Sequence, residues 1–177
     1  MKMLKKLLAV VLTGAMALTL FTACGSNAVT EKDIADAMND MAKAAEEDIT
    51  FTPRAKEREM AQKVAALLES HSEDDSNSAE LSAKIQGILG IDQGGVNENN
   101  FVWVQNALTD KLGAEGQAFQ VMESLTDKGG AYNFSSLGSK EPADTRYMGT
   151  ALCKIPDQKD NLVTVRVIVV TAKAEDE

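Results

Sequence analysis

Residues 162–172 read LVTVRVIVVTA. In an extended chain Val163, Val165, Val167 and Val169 fall on one face. Leu162, Ile168 and Val170 fall on the other, with Arg166 as the polar exception. A dense run of β-branched residues makes a strand. Apolar side chains on both faces require cover on both sides, so this strand cannot lie in a sheet with one wetted face. Val165 and Val167 are expected among its most buried residues. A second β-rich run, Arg146–Ile155, precedes it across Pro156-Asp-Gln-Lys-Asp-Asn161, and the two read as a hairpin.

The cover must come from upstream. Thr30-Glu-Lys-Asp33 has the form of a capping box with Asp33 in place of the usual Glu. Ile34, Met38, Met41 and Ala45 then recur at helical spacing and predict an amphipathic helix over residues 31–47. Ile49–Pro53 interrupts it. Thr52 as N-cap with Pro53 at the first helical position predicts a second helix. Its stripe is Met60, Val64, Leu67, Leu68 and His71, and Arg54, Lys56, Glu57, Arg58 and Lys63 take the facing side. A polar loop over residues 72–78 leads to a third helix, capped within Asn77–Glu80. It carries Leu81, Ile85, Ile88 and Leu89 on one face and ends at Gly90. Phe101-Val-Trp-Val104 fits either a short strand or the first turn of a helix passing through Leu108 to Leu112. A further helix spans about Ala114–Leu125 with Ala118, Val121, Met122 and Leu125 inward, and Gly129–Thr145 reads as a loop.

Helices first and a buried hairpin last predict an α+β fold. The N-terminal helices pack on a small antiparallel sheet that includes the C-terminal hairpin, an order that permits an α-β-α sandwich. Residues 31–173 form a single domain and residues 174–177 an acidic tail.

The first 30 residues carry an address. Lys2, Lys5 and Lys6 precede the uncharged run Leu7–Ala23, and small residues lead into Cys24. A basic segment, an apolar segment and a small-residue cleavage site make a secretory signal over residues 1–23. Phe21-Thr-Ala-Cys24 resembles a bacterial lipobox, with Phe21 where Leu is usual. Gly25 and Ser26 follow as they do in lipoproteins. That resemblance implies a diacylglyceryl group on Cys24, a tether over residues 24–30, and a domain held at the cell membrane facing away from the cytoplasm. The run of 17 uncharged residues is at the short limit for a spanning helix.

Cleavage would remove three of the 18 basic residues and none of the 27 acidic ones, leaving a net charge of −12. Such a surface repels phosphate backbones, so nucleic acid is not an expected partner. With Cys24 lipidated, Cys153 has no intrachain partner for a disulfide. Its small and apolar neighbours mark it as a buried thiol.

Candidate chemistry is sparse. His71 is the only histidine and sits among Glu69, Glu73, Asp74 and Asp75. Metal centres for zinc need three or four ligands, so no metal and no cofactor is expected. Asp74–Glu80 and Asp92–Asn100 resemble calcium loops only in part, because Ala79 and Gly94 break the ligand series. No phosphate-binding loop and no Gly-x-Ser-x-Gly elbow occurs. Trp103, the sole tryptophan, reads as core or cleft lining.

Taken in order, these segments resemble the CAP (SCP-like) domain of secreted bacterial proteins. The carrying residues are Ile49-Thr-Phe-Thr-Pro53 between two helices, Leu81–Gly90 followed by Glu98-Asn99-Asn-Phe101, Val121-Met-Glu-Ser124, Tyr147-Met-Gly-Thr-Ala151 and Val163–Val170. The resemblance spans residues 31–172 without a strict motif. It implies a binding cleft around Glu98, Asn99, Trp103 and His71. The family's two-histidine site cannot be assembled from one histidine, and Thr126-Asp-Lys-Gly-Gly130 stands where its Gly-His-Arg is expected. The expected function is a lipid-anchored binding or interaction domain, a degenerate CAP-like module. Its partner would be a cell-wall component, another envelope protein or a small apolar ligand. The alternative is a cell-envelope hydrolase or cell-wall-modifying enzyme using Glu98 and His71.

Overall fold

A computed structural model describes residues 29–70, 78–91, 99–108, 112–125, 129–157 and 159–176. Helix α1 (Glu31–Ala44) opens the domain, followed by strand β1 (Thr50–Pro53), helix α2 (Ala55–Ser70) and helix α3 (Ser78–Ile88). Strand β2 (Asn100–Leu108), helix α4 (Ala114–Met122) and a single turn, α5 (Phe134–Leu137), lead to the hairpin of β3 (Glu141–Pro156) and β4 (Leu162–Glu175).

The strands form one sheet in the order β1-β3-β4-β2. β4 is central and antiparallel to both neighbours, with Met148 opposite Val170 and Trp103 opposite Val170 from the other side. β1 adds to the edge of β3 in parallel, from Thr50 against Thr145 to Pro53 against Met148. The sheet is therefore mixed, with its three long strands antiparallel. The apolar stretch at Phe101 is resolved in favour of the strand, because β4 supplies a pairing partner along all of β2. β4 also takes in Ala174 and Glu175, which the sequence places in the tail.

Cover lies on both faces. On one side α1 and α4 bury Ile34, Met38, Ala118, Val121 and Met122 against Phe101, Trp103, Met148, Ile168 and Val170. On the other, α2 brings Ala61 and Val64, and the turn just after α3 brings Leu89, onto Val102, Val165, Val167 and Val169. Val165 is 2 % exposed and Val167 0 %. The result is a three-layer α-β-α arrangement.

The capping box at α1 is formed. Thr30 Oγ1 accepts from the Asp33 N–H at 3.2 Å, and Asp33 Oδ2 accepts from the Thr30 N–H at 2.7 Å. The start of α2 differs from the sequence expectation. Thr52 and Pro53 belong to β1, and the helix begins at Ala55. Pro53 ends an edge strand, where its missing N–H costs no ladder bond. The next amide, Arg54 N–H, extends the pairing to the Met148 carbonyl at 2.8 Å. The inward face of α2 also differs. Glu57, Ala61, Val64 and Ala65 are buried, whereas Met60, Leu67 and Leu68 are only partly so. The first turn of α2 can reach the sheet because Gly149 lies beneath it. A Cβ there would sit 1.9 Å from the Arg58 amide nitrogen.

Side chains close the exposed ladders at both edges of the sheet. At β1, Asn39 accepts from the Phe51 N–H at 2.7 Å and donates to the Phe51 carbonyl at 3.1 Å. At β2, Asn133 accepts from the Val102 N–H at 3.1 Å and donates to the Asn100 carbonyl at 2.5 Å. Beyond the end of β1, carboxylates of Glu31 and Glu69 accept from the Thr150 and Lys154 amides of β3 at 2.8 and 2.9 Å.

Candidate functional site

Two charged networks enter the layers, one on each face of the sheet. Under α2, Glu57 is fully buried. Its carboxylate is gripped by both Nε and Nη2 of Arg54, with the Nε contact at 2.6 Å, and Thr171 donates its hydroxyl to Glu57 Oε1 at 2.8 Å. The Arg54 guanidinium lies 3.7 Å over the Tyr147 ring. Burial pushes the Glu57 carboxyl up, but the hydrogen bonds from Arg54 and Thr171 and the Arg54 charge outweigh it and hold the group below its ordinary range. The carboxylate is ionised, fully buried and already accepts three side-chain hydrogen bonds. This network is a fastening rather than an acid–base pair.

On the opposite face Arg166 is buried and surrounded by neutral acceptors. It donates to Gln117 Oε1 at 2.9 Å, Thr150 Oγ1 at 3.2 Å and the Val29 carbonyl at 2.7 Å. Burial lowers its pKa, and the nearby Glu31 carboxylate opposes that shift. Glu31 in turn pairs with Arg58 at 2.7 Å. Arg166 thus gathers α4, the hairpin and the start of the domain at one point. Arg166 is the polar exception in the strand pattern. Its partners could not be read from the sequence, since Val29 and Gln117 lie far from it along the chain.

The sequence-predicted cleft is not assembled by the described residues. Glu98, His71 and the lipidation candidate Cys24 lie outside them. Asn99 is exposed, and its carbonyl accepts from the Ala174 N–H at 2.8 Å. Trp103 is a core residue, 1 % exposed. Its ring stacks on Phe101 at 5.8 Å, its indole N–H donates to the Gly129 carbonyl at 2.9 Å, and the Arg146 guanidinium stands 5.3 Å over it. No surface of it remains for a ligand. The reason is β2's pairing with β4, which turns the indole into the α1–α4 layer.

Cys153 is buried as expected, and burial together with Glu69 raises its thiol pKa, opposite to the activation a nucleophile needs. Among the described residues no group of three His, Cys, Asp or Glu side chains is placed to hold a metal ion. No described helix is long and apolar enough to cross a membrane. A depression of about 540 Å³ lies where α1 ends and β1 begins, lined by Asn39, Lys43, Glu46, Glu47, Asp48, Ile49 and Thr50. It involves none of the sequence-predicted residues.

Comparison with protein-family models, curated proteins and solved structures finds no match to the chain. Of the CAP-like segments, Ile49–Pro53 contains the edge strand β1, Val121–Ser124 covers the end of α4, and Tyr147–Ala151 lies within β3.

Proposed function

We propose that this chain is a lipoprotein whose folded part is a binding domain, held at the outer side of a membrane by a diacylglyceryl group on Cys24. The observation that carries the reading is the proximity of lipobox and domain. Val29 is already fixed to Arg166, only five positions after Cys24. A short tether, then an immediately folded acidic domain, suits a protein that works at the surface where it is anchored. The binding role is supported by how charge is used. Glu57 and Arg166, the deepest anionic and cationic groups of the two networks, are both engaged in holding layers together. The partner class is a cell-wall component, another envelope protein or a small apolar ligand, in a degenerate CAP-like module.

The test is metabolic labelling with radioactive palmitate in a bacterial host that lipidates such signals. The full chain is expected to incorporate label and to partition into detergent, and Cys24→Ala is expected to lose both. Equal labelling of the variant overturns the assignment.

A further inference from the structure

Helices α1, α2 and α4 each bury four residues. Helix α3 buries none of Ala79–Ile88, although Leu81, Ile85 and Ile88 give it an apolar stripe. Ile85 and Ile88 lie only partly covered against the cluster that holds Val102, Val165, Val167 and Val169. The tight packing comes just past the helix, where Leu89 is 0 % exposed and Ile91 8 %. One end of α3 is thus rooted in the core, while its body rests on the surface of that core.

The joint between root and body is a Schellman cap. The Ile91 N–H donates to the Gln86 carbonyl at 2.8 Å, and the Gly90 N–H to the Gly87 carbonyl at 3.2 Å. Gly90 takes a φ of 73°, open to glycine without strain. Towards the other end of the helix, Ser82 Oγ and the Tyr132 hydroxyl lie in hydrogen-bond contact at 3.1 Å. Tyr132 is itself fixed to the sheet edge, its N–H donating to the Val102 carbonyl at 2.6 Å. Helix α3 therefore reaches from α2, against which it packs, to the edge at β2. Local propensity adds little to hold it there. Its 11 residues fall below the ~12–15 that sustain a helix in water without packing, and Gly87 sits among them. An element with few buried apolar contacts opens at a lower free energy than the core it rests on.

We infer that α3 is a hinged flap, rooted at Leu89 and Ile91 and latched by Ser82 on Tyr132, which opens while the sheet and α1, α2 and α4 stay folded. Opening takes Ile85 and Ile88 off the cluster and bares aliphatic surface between α2 and β2 that the closed domain covers. Away from that surface the helix unwinds, because packing is what sustains it. The root keeps the released segment beside its seat, so closure needs no search. This motion depends neither on a lipid at Cys24 nor on a bound partner.

The experiment is amide hydrogen exchange, read by mass spectrometry, on the full chain in detergent micelles at urea concentrations below the unfolding transition. Fragments covering Ser82–Ile88 are expected to exchange about tenfold or more faster than fragments from α1 and α2. Their rate is expected to rise less steeply with urea, because that slope follows the surface exposed and the flap exposes little. Tyr132→Phe keeps the ring and removes the latch hydroxyl. It is expected to speed exchange in α3 by about 2–10-fold. Equal protection and an equal urea slope in α3 and α2 overturn the flap, since α3 then opens only with the whole domain. An α3 rate unchanged in Tyr132→Phe overturns the latch, and the hinged opening with it.

Discussion

Thr171 donates its hydroxyl to Glu57 Oε1 at 2.8 Å, joining residues 114 positions apart in the chain. This contact, with the Arg54 clamp on the same carboxylate, fastens the first turn of α2 to the far part of β4. Removing Arg54 leaves the Glu57 charge buried with one neutral donor. A fully buried pair broken this way costs about 3–5 kcal/mol. The Arg54 side chain is 38 % exposed and partly screened, which lowers the expectation to about 2–3 kcal/mol for Arg54→Ala.

The same carboxylate makes a pH prediction. Glu57 has a folded pKa held below its ordinary 4.5, because Arg54 and Thr171 outweigh the effect of burial. A depressed carboxyl contributes stability that is present above the unfolded value and is lost as pH falls through the folded one. The difference in melting temperature between wild type and Arg54→Ala is therefore expected to be larger at pH 7 than at about pH 3. A gap that is constant across that range would assign the loss to stacking of the Arg54 guanidinium on Tyr147.

Gly149 and Gly87 predict opposite signs for one substitution. At Gly149 an added methyl meets the α2 backbone, 1.9 Å from Arg58 N and 2.2 Å from the Glu57 carbonyl carbon. Backbone cannot rotate away, so Gly149→Ala is expected to destabilise by about 3 kcal/mol or more. At Gly87, inside α3, nothing lies within 4 Å of the new methyl, and Gly87→Ala is expected to stabilise by roughly 0.5–1 kcal/mol. For a domain of this length each kcal/mol moves the melting midpoint by about 2–4 °C, so thermal denaturation resolves both.

Val167 is completely buried between the two helix layers. Val167→Asp places a carboxylate there with no cation among its neighbours in that cluster, Val165, Val169, Val64 and Leu89. A loss of several kcal/mol, seen as absence of a cooperative melt by circular dichroism, is expected. Wild-type melting would mean that the strand carries no buried face.

Calorimetry with zinc and with calcium on the chelator-treated soluble domain is expected to show no tight site. His71 stands alone among histidines, and Cys153 is buried with a raised thiol pKa. Micromolar zinc binding abolished in His71→Ala would instead support the enzyme alternative built on Glu98 and His71.

How much of this was legible depends on where the deciding partner sits. The cap at Thr30 and Asp33, the inward residues Ala118, Val121, Met122 and Leu125, and the two-faced β4 were readable because their signals are periodic or lie within a few residues. Thr52-Pro53 was misread as a helix start. The same dipeptide ends an edge strand when a distant carbonyl, here that of Met148, accepts the next amide. Glu57 looked like a surface charge because its burial depends on Thr171, far along the chain, and on Gly149 beneath it. The edge-closing roles of Asn39 and Asn133 leave no trace in composition. The candidate cleft was drawn from family resemblance, and its one aromatic member, Trp103, is claimed by the core.

Asn39 and Asn133, with Glu31 and Glu69, carry a consequence for life at high density. An open strand edge recruits another open edge. Molecules confined to a surface meet at concentrations that dilute solutions never reach, and a sheet of this kind would otherwise template its neighbours into ribbons. Here amides and carboxylates occupy the positions that a foreign strand would use. On the proposed anchor, crowded copies would meet at edges where Phe51, Val102, Thr150 and Lys154 already have partners.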